Sequence, residues 1–160
     1  WDWESVINAN KKGVFPYTPP TNLLFGLEEA LEMLFEEGID NVIKRHERLA
    51  EAARQAVRVW GFEMQCVNQN ELANTLTAVR LPDGYDADKL RRIILDRFDM
   101  SLGTGLGKVE GKLFRIGHLG YFNDLMLAGT LCGIEMGLRI SDIPYSSGGV
   151  NAALEMLAQK

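Results

Sequence analysis

The chain has 160 residues, of which 46% are apolar and 24% are charged, and its formal net charge is −5. A chain of this length and composition can bury a hydrophobic core as about one domain, which argues against a disordered protein. The acidic balance and the lack of a basic block argue against nucleic acid as a partner.

No segment predicts a membrane span or a secretory leader. The most apolar late stretch, residues 125–138, is too short to cross a bilayer and contains Glu135. The first residues lack the basic and then apolar run of a signal peptide. We therefore expect a cytoplasmic protein with no membrane partner, and the start at Trp1 rather than Met leads us to expect a fragment.

The cysteines and histidines predict no metal site. Cys66 and Cys132 lie far apart and form no CxxC pair, so we expect two buried free thiols in a reducing compartment. Two cysteines and two histidines are too few and too scattered to predict a dedicated transition-metal site.

The segment before the first predicted helix is irregular. Residues 1–21 show no clear period, and three of the five residues 16–20 are proline, which excludes a helix interior. Leucines return at helical spacing from residue 23 onward. They predict a helix that Thr18 or Thr21 caps and that Gly38 ends.

A second helix is predicted to begin at Asp40, as its cap, and to end at Gly61. Its outer face carries a run of charged residues, namely Lys44, Arg45, Glu47, Arg48, Glu51 and Arg54. Such a run is typical of a solvated helix face, and we expect that role here.

The rest of the chain combines a few short strands with helices that do not regularly follow them. Runs of strand type predict three strands, at residues 62–66, 76–81 and 112–117. Capping signals predict three more helices, which begin near Asp86, near Asn123 or Asp124, and near Val150. The order of elements favours an α+β fold with a small, mostly antiparallel sheet and helices on one face.

Arg115 is the strongest candidate functional residue. It lies inside a short apolar strand, where a guanidinium that cannot lose its charge needs an anionic or hydrogen-bonding partner. The planar fork of an arginine suits a carboxylate held by two hydrogen bonds. Arg115 is therefore a candidate substrate-binding residue. The alternatives are a salt bridge to an acid of the same domain and an exposed strand face.

Three further motifs carry weaker signals. Residues 103–107 read G-x-G-x-G, but no helix opens directly after them, so we expect a loop that lets a ligand or another backbone approach rather than a phosphate cradle. His118 is expected to be a structural hydrogen-bonding group rather than a general base. Gly129, Gly133 and Gly137 recur every four residues and predict close helix packing.

Tyr17 and Thr18 place two hydroxyl groups just before the first predicted helix. The N-terminus of a helix with a nearby threonine can bind an anion such as a phosphate. The alternative is that Thr18 serves only as the helix cap.

Several stretches together resemble one family. They are FPYTPP at residues 15–20, LLFGLEEAL at 23–31, EEGIDNV at 36–42, the pair Arg45-His46, SLGTGLG at 101–107 and GKLFRIGHLG at 111–120. The combination is similar to the C-terminal part of class V pyridoxal-phosphate aminotransferases of the alanine/serine–glyoxylate type. The resemblance covers essentially the whole chain and favours the serine–glyoxylate branch.

The resemblance implies a domain organisation and a set of site residues. Residues 1–22 would be a remnant of the large domain or its connecting segment, and residues 23–160 would be the small C-terminal domain of a homodimer. Arg115 would bind the carboxylate of the amino acid or oxo acid. Thr18 would reach the phosphate of the cofactor in the other subunit, with Tyr17 as a second cofactor-binding residue.

The resemblance also implies what the chain lacks. The lysine that forms the Schiff base and most cofactor contacts would lie in the large domain, upstream of Trp1, so we assign no catalytic residue here and expect the chain alone to be inactive. Phe15 stands where some relatives carry an aromatic hydroxyl, and Tyr17 is the candidate to replace it. The full enzyme would pass the amino group of serine, or of a similar small amino acid, to glyoxylate.

Three alternatives remain open from the sequence. The parent enzyme could be another class V member, such as an alanine–glyoxylate or aspartate-type aminotransferase. The chain could instead be a free-standing module that binds small acids without chemistry of its own. It could also be a dimerisation domain built on its apolar first helix and its glycine stripe.

Overall fold

A computed structural model describes residues 2–159 of the chain, which divides into two compact units. The first unit is Trp1–Val42 and the second is Ile43–Lys160. The boundary between the units falls inside a long helix, Ile39–Trp60.

The first unit begins with a helix that the sequence pattern does not predict. Helix α1 spans Trp3–Asn10 and begins after Asp2, whose Oδ1 accepts a hydrogen bond from the Glu4 N–H at 3.0 Å. Eight residues hold too few apolar positions to show a helical period, whereas a local cap is enough to start a short helix.

Helix α2 spans Thr21–Glu37 and ends at Gly38, whose φ of 86° confirms the predicted glycine stop. The prediction that Thr18 or Thr21 caps this helix is wrong. Pro20 occupies the cap position without a side-chain hydrogen bond, because Thr21 is already helical and Thr18 lies too far ahead of the first turn. No residue of α2 is buried.

Helix α3 spans Ile39–Trp60 and carries much of the core. The prediction that Asp40 caps it is wrong, because the helix already includes Ile39 and Asp40 lies in its first turn. The predicted end at Gly61 is confirmed by a φ of 83° there. The Phe62 N–H donates to the Val57 carbonyl at 3.1 Å, which is the hydrogen bond of a Schellman ending.

The second unit contains a four-stranded antiparallel sheet with the strand order β1-β2-β4-β3. The strands are β1 Glu63–Met64, β2 Leu76–Arg80, β3 Gly103–Thr104 and β4 Leu113–Gly117. Strand β1 is shorter than predicted, and β3 lies in a stretch that was expected to be a loop, because the register to β4 pairs backbone there without any apolar alternation. The α+β fold with a small antiparallel sheet is confirmed.

The helices of the second unit pack on one face of the sheet. Val79 of β2 and Phe114 and Ile116 of β4 are fully buried, and they join one apolar cluster with residues of the helices. The contributing helices are α3, α4 (Ala87–Phe98), α5 (Asp124–Ile140) and α6 (Gly149–Leu157). Residues of opposite parity along β2 and β4 therefore face away from this core.

Gly137 of α5 confirms the predicted close helix packing, and Gly133 lies close to Met100, which follows α4. A Cβ on Gly137 would lie 2.4 Å from Cγ1 of Ile94 on α4, and a Cβ on Gly133 would lie 2.7 Å from Cε of Met100. A Cβ on Gly129 would meet nothing within 4 Å, so the third glycine takes no part in this contact.

The prediction of two buried thiols is wrong. Cys132 is exposed and Cys66 is half-buried, and both are free. Cys132 lies between the buried Leu131 and Gly133, so the turn of α5 carries it to the outer face of the helix. Cys66 follows the short strand β1.

Candidate functional site

Arg115 lies on the sheet face opposite the helices. Its strand neighbours Phe114 and Ile116 are fully buried, whereas Arg115 is half-buried. In the register of the sheet, Arg115 aligns with Ala78 of β2 on one side and with Gly103 of β3 on the other. The strand thus holds a permanently charged group between two small residues.

The side chain of Arg115 lies against Gly103. A Cβ added at Gly103 would sit 3.0 Å from Cβ and 3.0 Å from Nε of Arg115, and 3.5 Å from its Cζ. Two non-bonded carbon atoms ordinarily stay at least about 3.5 Å apart, so the arginine side chain occupies space that only glycine leaves open.

One nitrogen of the Arg115 guanidinium, Nε, is buried without a hydrogen-bond partner among residues 2–159. Within the same residues, none of the ion pairs involves Arg115. The structure therefore does not supply the salt bridge that was one alternative for this residue, and an incoming anion would meet an uncompensated cation.

Helix α4 fixes the strand that carries Gly103. Asp88 Oδ1 accepts a hydrogen bond from Thr104 Oγ1 at 2.8 Å and another from Arg91 Nη1 at 2.7 Å. Arg91 Nε also donates to the Leu102 carbonyl at 2.8 Å. The hydrogen bonds from Thr104 and Arg91 hold the pKa of Asp88 below its usual value, so the carboxylate stays charged.

The glycine-rich stretch 103–107 serves close approach of the backbone. A Cβ on Gly105 would lie 2.1 Å from the Val109 carbonyl oxygen, so the chain passes too near for any side chain. The expectation of a stretch that lets another backbone approach is confirmed at this glycine.

His118 is a structural residue, as predicted. It is fully buried, its Nε2 lies 2.9 Å from Thr77 Oγ1, and its Nδ1 lies 3.1 Å from the Asn74 carbonyl. Burial lowers the pKa of His118 to about 4, against the opposing effect of the hydrogen bond to Asn74. A neutral ring satisfies both contacts, with Nδ1–H donating to the carbonyl and Nε2 accepting from the hydroxyl.

The loop that follows β4 is held by α3. Arg45 Nη1 donates to the Gly120 carbonyl at 2.9 Å, and the Gly120 N–H donates to His46 Nε2 at 3.1 Å. Arg48 Nη2 forms an ion pair with Asp124 Oδ1 at 2.6 Å. These contacts with α3 therefore hold the loop at Gly120 and at its end, where Asp124 begins α5.

The expectation that the charge run of α3 is a solvated face is wrong for three arginines. Arg45 and Arg48 bind the loop after β4, and Arg54 is buried, where its Nη2 donates to the Ala73 carbonyl at 2.9 Å and to Asn74 Oδ1 at 3.0 Å. Helical periodicity reports which face a charge occupies, but not which loop folds back onto that face.

Thr18 and Tyr17 are exposed and belong to the first unit, whereas Arg115 belongs to the second. The alternative that Thr18 merely caps α2 is wrong, because Pro20 holds the cap position. The Thr18 hydroxyl is thus not used by the helix. Phe15, in the same segment, is also exposed.

The described part of the chain offers neither a metal-binding cluster nor a membrane-spanning helix. Residues 2–159 hold no group of three or more His, Cys, Asp or Glu side chains arranged to bind a metal ion. No helix within this range combines the length and the apolar content that a membrane crossing requires.

The sequence and the fold together define the class of the chain. No protein-family model matches it. Most of its curated relatives are named as aminotransferases, and its sequence and fold match the C-terminal part of class V aminotransferases.

Two of these relatives are named as glyoxylate aminotransferases. The chain is 45% identical over 160 residues to serine–glyoxylate aminotransferase of Methylorubrum extorquens, and the match covers 99% of the chain and 40% of that enzyme. It is 40% identical over 160 residues to L-aspartate–glyoxylate aminotransferase of Paracoccus denitrificans, with 99% and 40% covered. The chain therefore spans about 40% of the length of these curated relatives.

A solved structure supports the same assignment. Pyridoxamine–pyruvate aminotransferase from Mesorhizobium loti superposes with a TM-score of 0.84 at 32% sequence identity. The match covers 89% of this chain and 37% of that enzyme, so the likeness again concerns one part of a longer protein.

Proposed function

We propose that the whole protein containing this chain is a pyridoxal-phosphate-dependent aminotransferase that transfers the amino group of serine, or of a similar small amino acid, to glyoxylate. In this proposal, Arg115 binds the carboxylate of both the amino donor and the oxo-acid acceptor. The similarity to serine–glyoxylate aminotransferase supports the reaction, and the geometry of Arg115 supports the role of the residue.

The observation that carries the proposal is the uncompensated guanidinium of Arg115. Its Nε is buried without an acceptor among residues 2–159, and no carboxylate of these residues forms an ion pair with it. A buried, unpaired donor on a permanent cation costs free energy, which a bound carboxylate offsets with two charge-assisted hydrogen bonds. Both proposed substrates carry such a carboxylate.

Arg115 contributes binding and orientation rather than proton transfer. A guanidinium stays protonated throughout the accessible pH range, so it holds the substrate by a fixed positive charge. A carboxylate gripped at two points leaves the substrate only a limited set of orientations, which aligns the Cα–H bond for cleavage. Because both substrates share the carboxylate, one arginine serves both half-reactions.

We propose that Thr18 and Tyr17 contact the phosphate of pyridoxal phosphate. Both hydroxyls are exposed and lie just before the N-terminus of α2, where the helix dipole favours an anion. When bound, pyridoxal phosphate supplies the electron sink that amino transfer requires. The Schiff-base lysine is expected outside this chain, and the proposed cytoplasmic homodimer would bring Thr18 to the cofactor of the other subunit.

The test of this function uses the whole protein loaded with pyridoxal phosphate. We expect serine and glyoxylate to be converted, one for one, into hydroxypyruvate and glycine, measured by chromatography of both products. Glyoxylate without an amino donor serves as the control. Failure to form glycine from glyoxylate with serine, alanine or aspartate as donor would contradict the proposal.

A second candidate function differs only in the amino donor. The 40% identity to L-aspartate–glyoxylate aminotransferase favours aspartate as the alternative, with alanine as a further candidate from the family resemblance. Competition between equal concentrations of serine, alanine and aspartate for limiting glyoxylate decides between them. Faster use of aspartate or alanine than of serine would replace the proposed donor and leave the role of Arg115 unchanged.

A further inference from the structure

We propose that Gly103 is a positioning residue for the Arg115 guanidinium and that the hydrogen bond between Thr104 and Asp88 holds Gly103 in place. This inference rests on the proposed role of Arg115 in carboxylate binding and concerns what fixes the geometry of that residue. In this inference, the position of the short strand β3 determines how tightly Arg115 binds carboxylate substrates.

The first argument is steric. Paired residues on neighbouring antiparallel strands ordinarily keep their Cβ atoms about 4.5–5.5 Å apart. A Cβ at Gly103 would lie 3.0 Å from Cβ and 3.0 Å from Nε of Arg115, because the arginine side chain folds back across the glycine. Any larger residue at this position would therefore displace the guanidinium or the strand by several tenths of an ångström.

The second argument concerns how β3 is fixed. This strand has only two residues and lies at the edge of the sheet, where short strands are weakly held by pairing alone. On one side of Gly103, Thr104 Oγ1 donates to Asp88 Oδ1 at 2.8 Å. On the other side, Arg91 Nε donates to the Leu102 carbonyl at 2.8 Å. Helix α4 thus anchors both neighbours of the glycine.

The anchoring of Gly103 by α4 matters because an arginine guanidinium binds a carboxylate well only in a limited range of orientations. A misplacement of about 1 Å in a binding group can lower the rate by about 100-fold. A methyl group at residue 103 moves the guanidinium by less than that, so we expect kcat/KM to fall about tenfold for both serine and glyoxylate.

The experiment compares matched variants of the whole protein loaded with pyridoxal phosphate. Gly103→Ala is compared with Gly129→Ala, since a Cβ at Gly129 meets nothing within 4 Å. Thr104→Val removes the hydroxyl that binds Asp88, and Thr104→Ser retains one. The readouts are KM and kcat for serine and glyoxylate, the inhibition constant of glycolate as an unreactive carboxylate, the bound cofactor and the midpoint of thermal unfolding.

We expect Gly103→Ala to raise KM for both substrates and the glycolate inhibition constant about tenfold, with cofactor content and unfolding midpoint equal to those of the wild type, whereas Gly129→Ala should leave these constants unchanged. Thr104→Val should show a smaller rise in the same constants, and Thr104→Ser should restore them. If Gly103 had a purely structural role, Gly103→Ala would lower the unfolding midpoint and would not specifically raise the constants for carboxylate ligands.

The outcomes separate the inference from the function on which it rests. If Gly103→Ala matches Gly129→Ala while Arg115→Ala has lost carboxylate binding, the positioning role is wrong and the proposed function stands. If Arg115→Ala binds carboxylates normally, the proposed role of Arg115 fails and the inference fails with it, whereas the proposed reaction is tested by its products. If Gly103→Ala does not fold, the pair Thr104→Val and Thr104→Ser decides, and equal constants for the two variants would overturn the inference.

Discussion

Individual residues of this domain show how burial sets charge. His118 and Arg115 are separated by two residues, yet their surroundings act in opposite ways. His118 is enclosed by Thr77 Oγ1 and the Asn74 carbonyl, and burial keeps it neutral. Arg115 cannot lose its charge, so its half-buried guanidinium stays cationic, and its buried Nε has no acceptor among residues 2–159.

The neutral state of His118 predicts a specific pH dependence. Its pKa falls from the usual 6.5 to about 4 in the folded protein, so the unfolded chain binds the proton first as the pH drops. The contribution of His118 is therefore full above about pH 6.5, and about 3 kcal/mol of stability is lost between pH 7 and pH 4.

Nuclear magnetic resonance of histidine-labelled whole protein measures this directly. The His118 ring signal, assigned by its loss in His118→Asn, should titrate with a midpoint near 4 rather than near 6.5. The signal of free histidine in the same buffer is the control. A His118 midpoint at the free value would show that the ring is accessible to solvent protons, contrary to the structure.

At the scale of elements, the packing of α5 on α4 depends on glycine. A Cβ on Gly137 would come within 2.4 Å of Cγ1 of Ile94, which is fully buried. Gly129 lies on the same helix with nothing within 4 Å of an added Cβ. The two positions therefore separate helix propensity from packing.

The expected effects of alanine at these positions have opposite signs. Gly129→Ala should raise the free energy of unfolding by up to about 1 kcal/mol, since alanine favours the helix. Gly137→Ala should lower it by about 1–2 kcal/mol, because overpacking outweighs that gain. Urea unfolding of the two variants beside the wild type measures both. A stabilised Gly137→Ala would contradict the close packing of α5 and α4.

The elements also show what a sequence can predict. Helices and strands with an apolar face were predicted within a few residues, as with β2 at Leu76–Arg80 and α4 after its Asp86 cap. The short helix α1 and the two-residue β3 were not, because they depend on a local cap and on pairing with β4. Periodicity cannot reveal an element that its partner creates.

The candidate site was predictable only in part. Arg115 could be found because a charged residue interrupts an apolar strand. Its contact with Gly103 could not, because it depends on the register between strands that no local pattern encodes. The anchoring of the loop after β4 by Arg45 and Arg48 was missed for the same reason, since charges on a helix resemble a solvated face.

For the whole molecule, the uneven burial of the two units is the main feature. The buried apolar cluster runs from Leu49 to Leu157 and lies within the second unit. Helix α2 has no buried residue. Its large apolar side chains Phe25 and Phe35 are each about two-thirds exposed. Since the chain spans about 40% of the length of its relatives, we propose that the remaining protein or a second subunit covers α2.

Hydrogen exchange of the isolated chain tests this division. We expect slow exchange for amides of α3, α4 and α5 in the second unit and fast exchange for those of α1 and α2, because local opening of the latter exposes no core. The whole protein is the reference, in which α2 should gain protection. Equal protection of α2 in both samples would contradict a covering role for the rest of the protein.

Steady-state kinetics of the whole protein with Arg115→Ala and Arg115→Lys test the proposed binding of the substrate carboxylate by Arg115. Losing one partner of a charged pair costs about 2–5 kcal/mol, so kcat/KM for serine and glyoxylate should fall at least about 30-fold in Arg115→Ala. Arg115→Lys should fall between that variant and the wild type, and the absorbance of bound pyridoxal phosphate should persist in both. Unchanged kinetics in Arg115→Ala would contradict the proposed role of Arg115 in carboxylate binding.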